Sequence, residues 1–145
     1  MNIVLFREGE TMLSLSDERA SHILKVLRMK EGDSFHAGII NSMEGMMRIE
    51  RISDDGIELL FSPEKDSSAL YPLTLICAQV RPICMRRILR EAVSLGVGRM
   101  ILPVSDLGEK SYLNASLYKD GEYRDILLDG AMQAGKTGVT DTALA

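Results

Sequence analysis

The hydrophobic period of this 145-residue chain changes at Tyr71/Pro72, and no other feature limits the fold as much. Before that point the pattern is one of short β-rich runs: Asn2–Phe6, Ser34–Ile40, Met46–Ile52 and Gly56–Phe61. Gly32-Asp33, Ser42–Gly45 and Asp54-Asp55-Gly56 separate them with turn chemistry. Close spacing and tight turns predict antiparallel pairing in a small barrel-like sheet. One helix interrupts it, because Ala20, Ile23, Leu24 and Leu27 recur at helical spacing. Ser16 is the expected N-cap, Asp17 and Glu18 suit the first turn, and the helix should end near Gly32. The polar stretch Ser62–Tyr71 contains a proline, has no periodicity and reads as a linker.

After the linker, Leu73–Val80 is a nearly continuous apolar run, which predicts a strand buried on both faces of a parallel sheet. Met85, Ile88, Leu89 and Ala92 form the stripe of a helix that Gly96 can stop, and Met100–Val104 reads as the next strand. Strand, helix and strand make a βαβ unit. Ser105–Ser116 is irregular. A last helix carries Tyr123, Ile126, Leu127, Ala131 and Ala134 on one face, with Gly135 to close it. The expectation is an α/β chain with a β-barrel domain over residues 1–70 and a partial α/β domain, of two parallel strands, over residues 71–145.

Composition removes several function classes. No run approaches the ~20 apolar residues that span a bilayer, and the first residues lack the basic and apolar regions of a signal peptide, so a cytoplasmic protein without a membrane partner is expected. Cys77 and Cys84 have no Cys or His neighbours at zinc-ligand spacing, so no metal is expected and both read as thiols without a disulfide or ligand role. No Ser/His/Asp, Cys/His or paired-carboxylate arrangement offers hydrolytic chemistry, and no catalytic residue is assigned. The formal net charge is −4, but it divides unevenly: residues 1–71 hold 8 basic and 13 acidic side chains, residues 72–145 hold 9 and 8. A uniformly basic coat is excluded, whereas local basic faces are not.

Gly130–Thr137 satisfies the phosphate-loop pattern G-x-x-x-x-G-K-[ST]. A phosphate loop needs a buried strand before it and a helix after it. Here a helical pattern runs through Gly130, so the match reads instead as a helix end, with Lys136 near the negative end of the dipole. Two basic clusters are left. Arg19, His22, Lys25 and Arg28, three residues apart, form a slanted band on the first helix, suited either to solvent or to phosphates. Arg81, Arg86, Arg87 and Arg90 follow the first strand of the second half, where ligands of open α/β sheets bind. Lys110, in Glu109-Lys110-Ser111, falls at the same edge.

These residues, in this order, resemble a known family. His22-Ile23-Leu24-Lys25-Val26-Leu27-Arg28 followed by Gly32-Asp33 is similar to the H-x-x-x-V-L-R … G-D signature of the RsmE family, S-adenosylmethionine-dependent methyltransferases that modify N3 of a uridine in 16S ribosomal RNA. Ser94-Leu95-Gly96-Val97 with Ile101-Leu102-Pro103 resembles the family's E-L-G-V … I-x-P segment. Glu109-Lys110-Ser111 stands where the family has E-R-S, and Ala131–Lys136 where it has a helix ending E-Q-S/C-x-R. The resemblance implies an N-terminal PUA-like RNA-binding barrel, the first part of a SPOUT-type knotted methyltransferase domain, and a homodimer acting on the small ribosomal subunit. It implies RNA contacts for His22, Lys25, Arg28, Arg81, Arg86 and Lys110. Lysine at positions 110 and 136 keeps the charge of the family's arginine but loses its planar fork. The family's G-P-E-G-G loop and L-x-x-R-x-L-R-x-E-T-A segment, which hold the methyl donor in the knot, do not occur in the sequence. The expectation is therefore a chain without the knot that binds RNA at most weakly and does not bind S-adenosylmethionine. A non-catalytic RNA-binding or dimerisation module is the alternative.

Overall fold

The computed structural model describes residues 1–145. Its first sheet holds β1 (Val4–Phe6), β2 (Met12–Leu13), β3 (Ser34–Ile39), β4 (Met43–Ser53) and β5 (Gly56–Asp66), in the order β1-β3-β4-β5-β2. β1 and β3 are parallel and the other pairs antiparallel. The expected barrel is not closed. β1 and β2 occupy opposite edges and do not pair, because the chain between them turns back at Arg7–Glu10 and the two-residue β2 spends its ladder on β5.

The linker expectation is also corrected. β5 continues through Ser62 to Asp66 against Met43–Met46, leaving only residues 67–70 as the connection. Pro63 fits because it faces Gly45 where the register shifts, and a bulge does not require the N–H that proline lacks. A side chain at Gly45 would collide with the Ser62 carbonyl and the Pro63 backbone.

The second sheet is parallel, ordered β6-β7-β8, from Tyr71–Ile76, Val97–Leu102 and Asp141–Leu144. It therefore has three strands where two were expected; residues 141–144 lack a β-rich pattern and become a strand by completing the open edge of β7. β6 is the opposite edge and is not doubly buried: Leu73 and Ile76 are 55% and 67% exposed. It also stops at Ile76, although Cys77 and Gln79 still donate backbone N–H to Ile101 and Pro103 beside it.

α2 (Pro82–Ser94) and α4 (Glu122–Ala134) form as their stripes predict, burying Met85, Leu89, Ala92 and Val93 from one and Leu127 and Ala131 from the other. Gly96 and Gly135, both at positive φ, end them. The short α3 (Ser116–Lys119) precedes α4. α4 runs unbroken through Gly130, and Lys136 Nζ reaches the Ser94 carbonyl at the end of α2.

The apolar residues gather in two cores that share one strand. Val4 and Phe6 face the first sheet's core with Ile23, Phe35, Met47 and Ile57. Ile3 and Leu5 face the other way, into the core of Met85, Leu89, Met100, Leu102 and Leu127. This alternation across β1 explains why its sequence is apolar without a polar face. Further bonds tie the halves together: Asn2 and Ile3 N–H both donate to the Met132 carbonyl, and Asn41 Oδ1 accepts from Val139 N–H. No helix is long and apolar enough to cross a membrane.

Candidate nucleic-acid interface

The basic band lies on a helix that changes type in its middle. Asp17, not the expected Ser16, is the N-cap: its carboxylate accepts from Arg19 N–H, while Ser16 Oγ pairs with Ser14 Oγ. α1 lasts only Glu18–Ser21, then His22–Val26 form a π-helical turn closed by Leu27 N–H on the His22 carbonyl at 2.9 Å. A helical pattern read at 3.6 residues per turn expects Leu27 inside. The wider turn carries an extra residue, so Ala20 and Ile23 are buried while Leu27 rotates out to 42% exposure. The helix stops at Leu27, short of Gly32, because Arg28 takes a left-handed φ of 52° and Met29 N–H folds back to the Ile23 carbonyl.

The same geometry splits the band. Arg19 turns inward: Nη2 donates to Glu10 Oε1 at 2.6 Å and Asp17 Oδ2 at 2.8 Å, Nη1 donates to the Leu5 carbonyl, and the guanidinium lies 5.0 Å from the Phe6 ring centre. It is a structural cation. The hydrogen bonds from Arg19 hold both carboxyls below the ordinary 4.5 of glutamate and 3.8 of aspartate. Groups held lower in the folded state stabilise it fully above their ordinary values and lose that contribution as pH falls through the folded ones. Melting curves between about pH 5 and pH 2 should therefore show a steeper acid loss of stability in the native chain than in an Arg19→Gln variant.

Lys25 and Arg28 point to solvent, and His22 is half-buried at the start of the π-turn. Neither Lys25 nor Arg28 has an acidic partner; the nearby Glu31 and Asp33 carboxylates accept from the Ile52 and Lys30 backbone N–H groups. Three cations and no acid occur over residues 22–30.

The second cluster sits past the carboxyl ends of β6 and β7. Arg81 precedes α2 as its N-cap residue, with Pro82 in the first turn, and its side chain is exposed. Arg86 is engaged: its guanidinium pairs with Glu122 and reaches Ser116 Oγ, so it must release Glu122 to meet a phosphate. Arg87 pairs with Glu91 and Arg90 with Asp129. Lys110 opens a 3-10 turn, Lys110–Asn114, whose Glu109 accepts from Ser111 N–H, and it has no ion-pair partner. Gln79, a buried residue two positions before Arg81, is not among the expected site residues; its Nε2 donates to the Leu102 carbonyl. A polar residue inside the otherwise apolar run Leu73–Val80 is the available signal.

A cleft of about 800 Å³ between the first helix and α4 is a poor phosphate site, since its five carboxylates, Glu10, Asp17, Glu18, Asp125 and Asp129, outnumber its three arginines, of which Arg19 and Arg90 are already paired with them. No group of three or more His, Cys, Asp or Glu side chains is arranged to hold a metal ion.

Comparison with known proteins places these two halves. An RNA methyltransferase PUA domain model matches residues 15–62, and an RNA methyltransferase domain model matches residues 66–143. Ribosomal RNA small subunit methyltransferase E of Treponema pallidum is 40% identical over 143 residues. The chain belongs to the RsmE family of RNA methyltransferases. A second RsmE relative, from Borreliella burgdorferi, is 33% identical over 135 residues. These alignments cover 94% and 92% of this chain but 54% and 57% of the relatives, so the chain spans about half the length of the curated RsmE proteins it matches. Among solved structures, a probable rRNA methyltransferase from Porphyromonas gingivalis superposes with a TM-score of 0.75 at 20% identity, covering 99% of this chain and 60% of that one. An RsmE protein from Neisseria gonorrhoeae bound to S-adenosyl methionine gives 0.69 at 16%, covering 100% and 62%. These likenesses establish a shared fold.

Proposed function

We propose that this chain contributes the RNA-positioning part of an RsmE-type activity, the methylation of a uridine N3 in 16S ribosomal RNA. In this reading residues 1–70 form the RNA-binding unit, and residues 71–145 carry the first strands and helices of the methyltransferase unit. Lys25 and Arg28 contact phosphates with His22 beside them, and Arg81 and Lys110 extend the contact to the carboxyl edge of the second sheet. Arg86 joins once it leaves Glu122. The observation that carries the reading is the pair of unpartnered cations within the PUA-matching segment, Lys25 on the π-turn and Arg28 just past its end. Exposed apolar residues such as Leu73, Ile76 and Ile83 support a homodimer.

The methyl donor is a sulfonium with a purine and an amino-acid head. At the carboxyl edge the chain offers exposed Arg81 and Lys110, whose charges oppose a sulfonium, and Gln79, whose amide is turned back onto Leu102. The residues present do not fit that group, and no chemical step is assigned through it.

Filter binding of a 16S-derived RNA across a salt series tests the proposal. Each single-strand phosphate contact adds about 0.7 to the slope of log affinity against log salt, so Lys25→Ala/Arg28→Ala should flatten it by about 1.4. An unchanged slope and affinity in the double variant would overturn the assignment.

A further inference from the structure

Between Lys25 on the π-turn and Arg28 just past it lie two apolar side chains that the fold leaves uncovered. Val26 is 66% exposed and Leu27 is 42% exposed, one directly after Lys25 and the other directly before Arg28. In an α-helix Leu27 would return to the buried stripe; the π-turn delivers it to the surface instead. Arg28 then holds a left-handed conformation without being glycine, a strained geometry for a side chain with a Cβ. A π-turn and a strained residue together present an apolar pair inside a cationic frame. Solvation alone needs neither feature.

We propose that Val26 and Leu27 form a wedge that packs against the face of an unstacked nucleotide, so that this segment selects single-stranded or looped RNA over duplex. The proposal rests on the RNA-positioning role of Lys25 and Arg28 given above. Charge chooses the occupant: three cations and no acid occur over residues 22–30, while Glu31 and Asp33 are occupied by backbone N–H groups. Lys25 and Arg28 hold the phosphates on either side, and the apolar pair replaces the stacking neighbour of the base between them. Duplex RNA keeps its bases stacked and gives the wedge nothing to meet. Single-strand binders place a non-polar surface against each exposed base face between cationic backbone contacts, and the Val26–Leu27 pair supplies an aliphatic version of that surface.

The test compares a single-stranded oligoribonucleotide, carrying 2-aminopurine as a stacking reporter, with the same strand annealed to its complement. Val26→Ser/Leu27→Ser should weaken single-strand binding about tenfold, leave duplex binding and the salt slope unchanged, and abolish the change in 2-aminopurine fluorescence. Both positions are solvent-exposed, and an unaltered thermal melt verifies the fold. Equal binding by native and variant chains, or equal losses on single strand and duplex, overturns the wedge. A shift from dimer to monomer in sedimentation of the variant assigns the patch to a second copy of the chain and also overturns it. Failure of the underlying RNA reading has a different signature: Lys25→Ala/Arg28→Ala then leaves the salt slope intact, whatever the wedge variant does.

Discussion

Replacing Gly130 by valine is expected to lower the thermal unfolding midpoint by about 10 °C or more. Gly130 lies where α4 crosses α2. A Cβ there would stand 2.5 Å from Val93 Cγ1 and 2.9 Å from the Arg90 carbonyl oxygen. Val93 is fully buried and the Arg90 carbonyl is helix backbone, so neither can give way cheaply. The crossing is further tied by Ser94 Oγ, which bonds the Arg90 carbonyl at 2.8 Å and the Gly130 carbonyl at 3.2 Å. Two effects compete in the milder Gly130→Ala variant. Helix propensity favours alanine by about 1 kcal/mol, whereas overpacking costs about 1–3 kcal/mol. Contact with backbone puts this site toward the upper end, so alanine should destabilise too. Valine adds two methyl groups to the same clash. Calorimetry of the three chains would refute the argument if alanine raised the midpoint.

Arg19→Ala ranks second, at about 2–3 kcal/mol, which is roughly 5–10 °C for a chain of this size. The loss strands two carboxylates, Glu10 and Asp17, side by side, removes a donor from the Leu5 carbonyl and uncovers one face of Phe6. Simultaneous Glu10→Gln and Asp17→Asn replacements should recover part of the stability, because most of the cost is unpaired charge rather than lost attraction. If the triple variant is no more stable than Arg19→Ala, the cost lies in packing over Phe6.

Elements with strong helical periodicity were legible in the sequence. α2 and α4 follow from their stripes, and Gly96 and Gly135 close them as glycines at positive φ do. Three misreadings have separate physical causes. The first helix was read at one period, but the π-turn inserts a residue, which moves Leu27 out and turns Arg19 away from the other basic residues. Residues 62–66 were read from polarity and proline, while a bulge opposite Gly45 lets them stay in β5. β8 and the exposure of β6 depend on which strand finds an open neighbour, a tertiary matter that local pattern does not carry. The candidate cations were visible as a spacing. Which of them were free was not: Arg86 is neutralised by Glu122, 36 residues away, and Arg19 by Glu10 and its near neighbour Asp17, a pairing that spacing on the helix does not reveal.

The strand shared by the two cores also orders events in time. β1 precedes α2, β7 and α4 in the chain, yet one face at that strand, Ile3 and Leu5, packs on residues of all three, and the amides of Asn2 and Ile3 wait for the carbonyl of Met132. During synthesis this face must stay unsatisfied until the chain has grown through Met132. Such long-range closure slows folding and makes the nascent chain vulnerable to premature association.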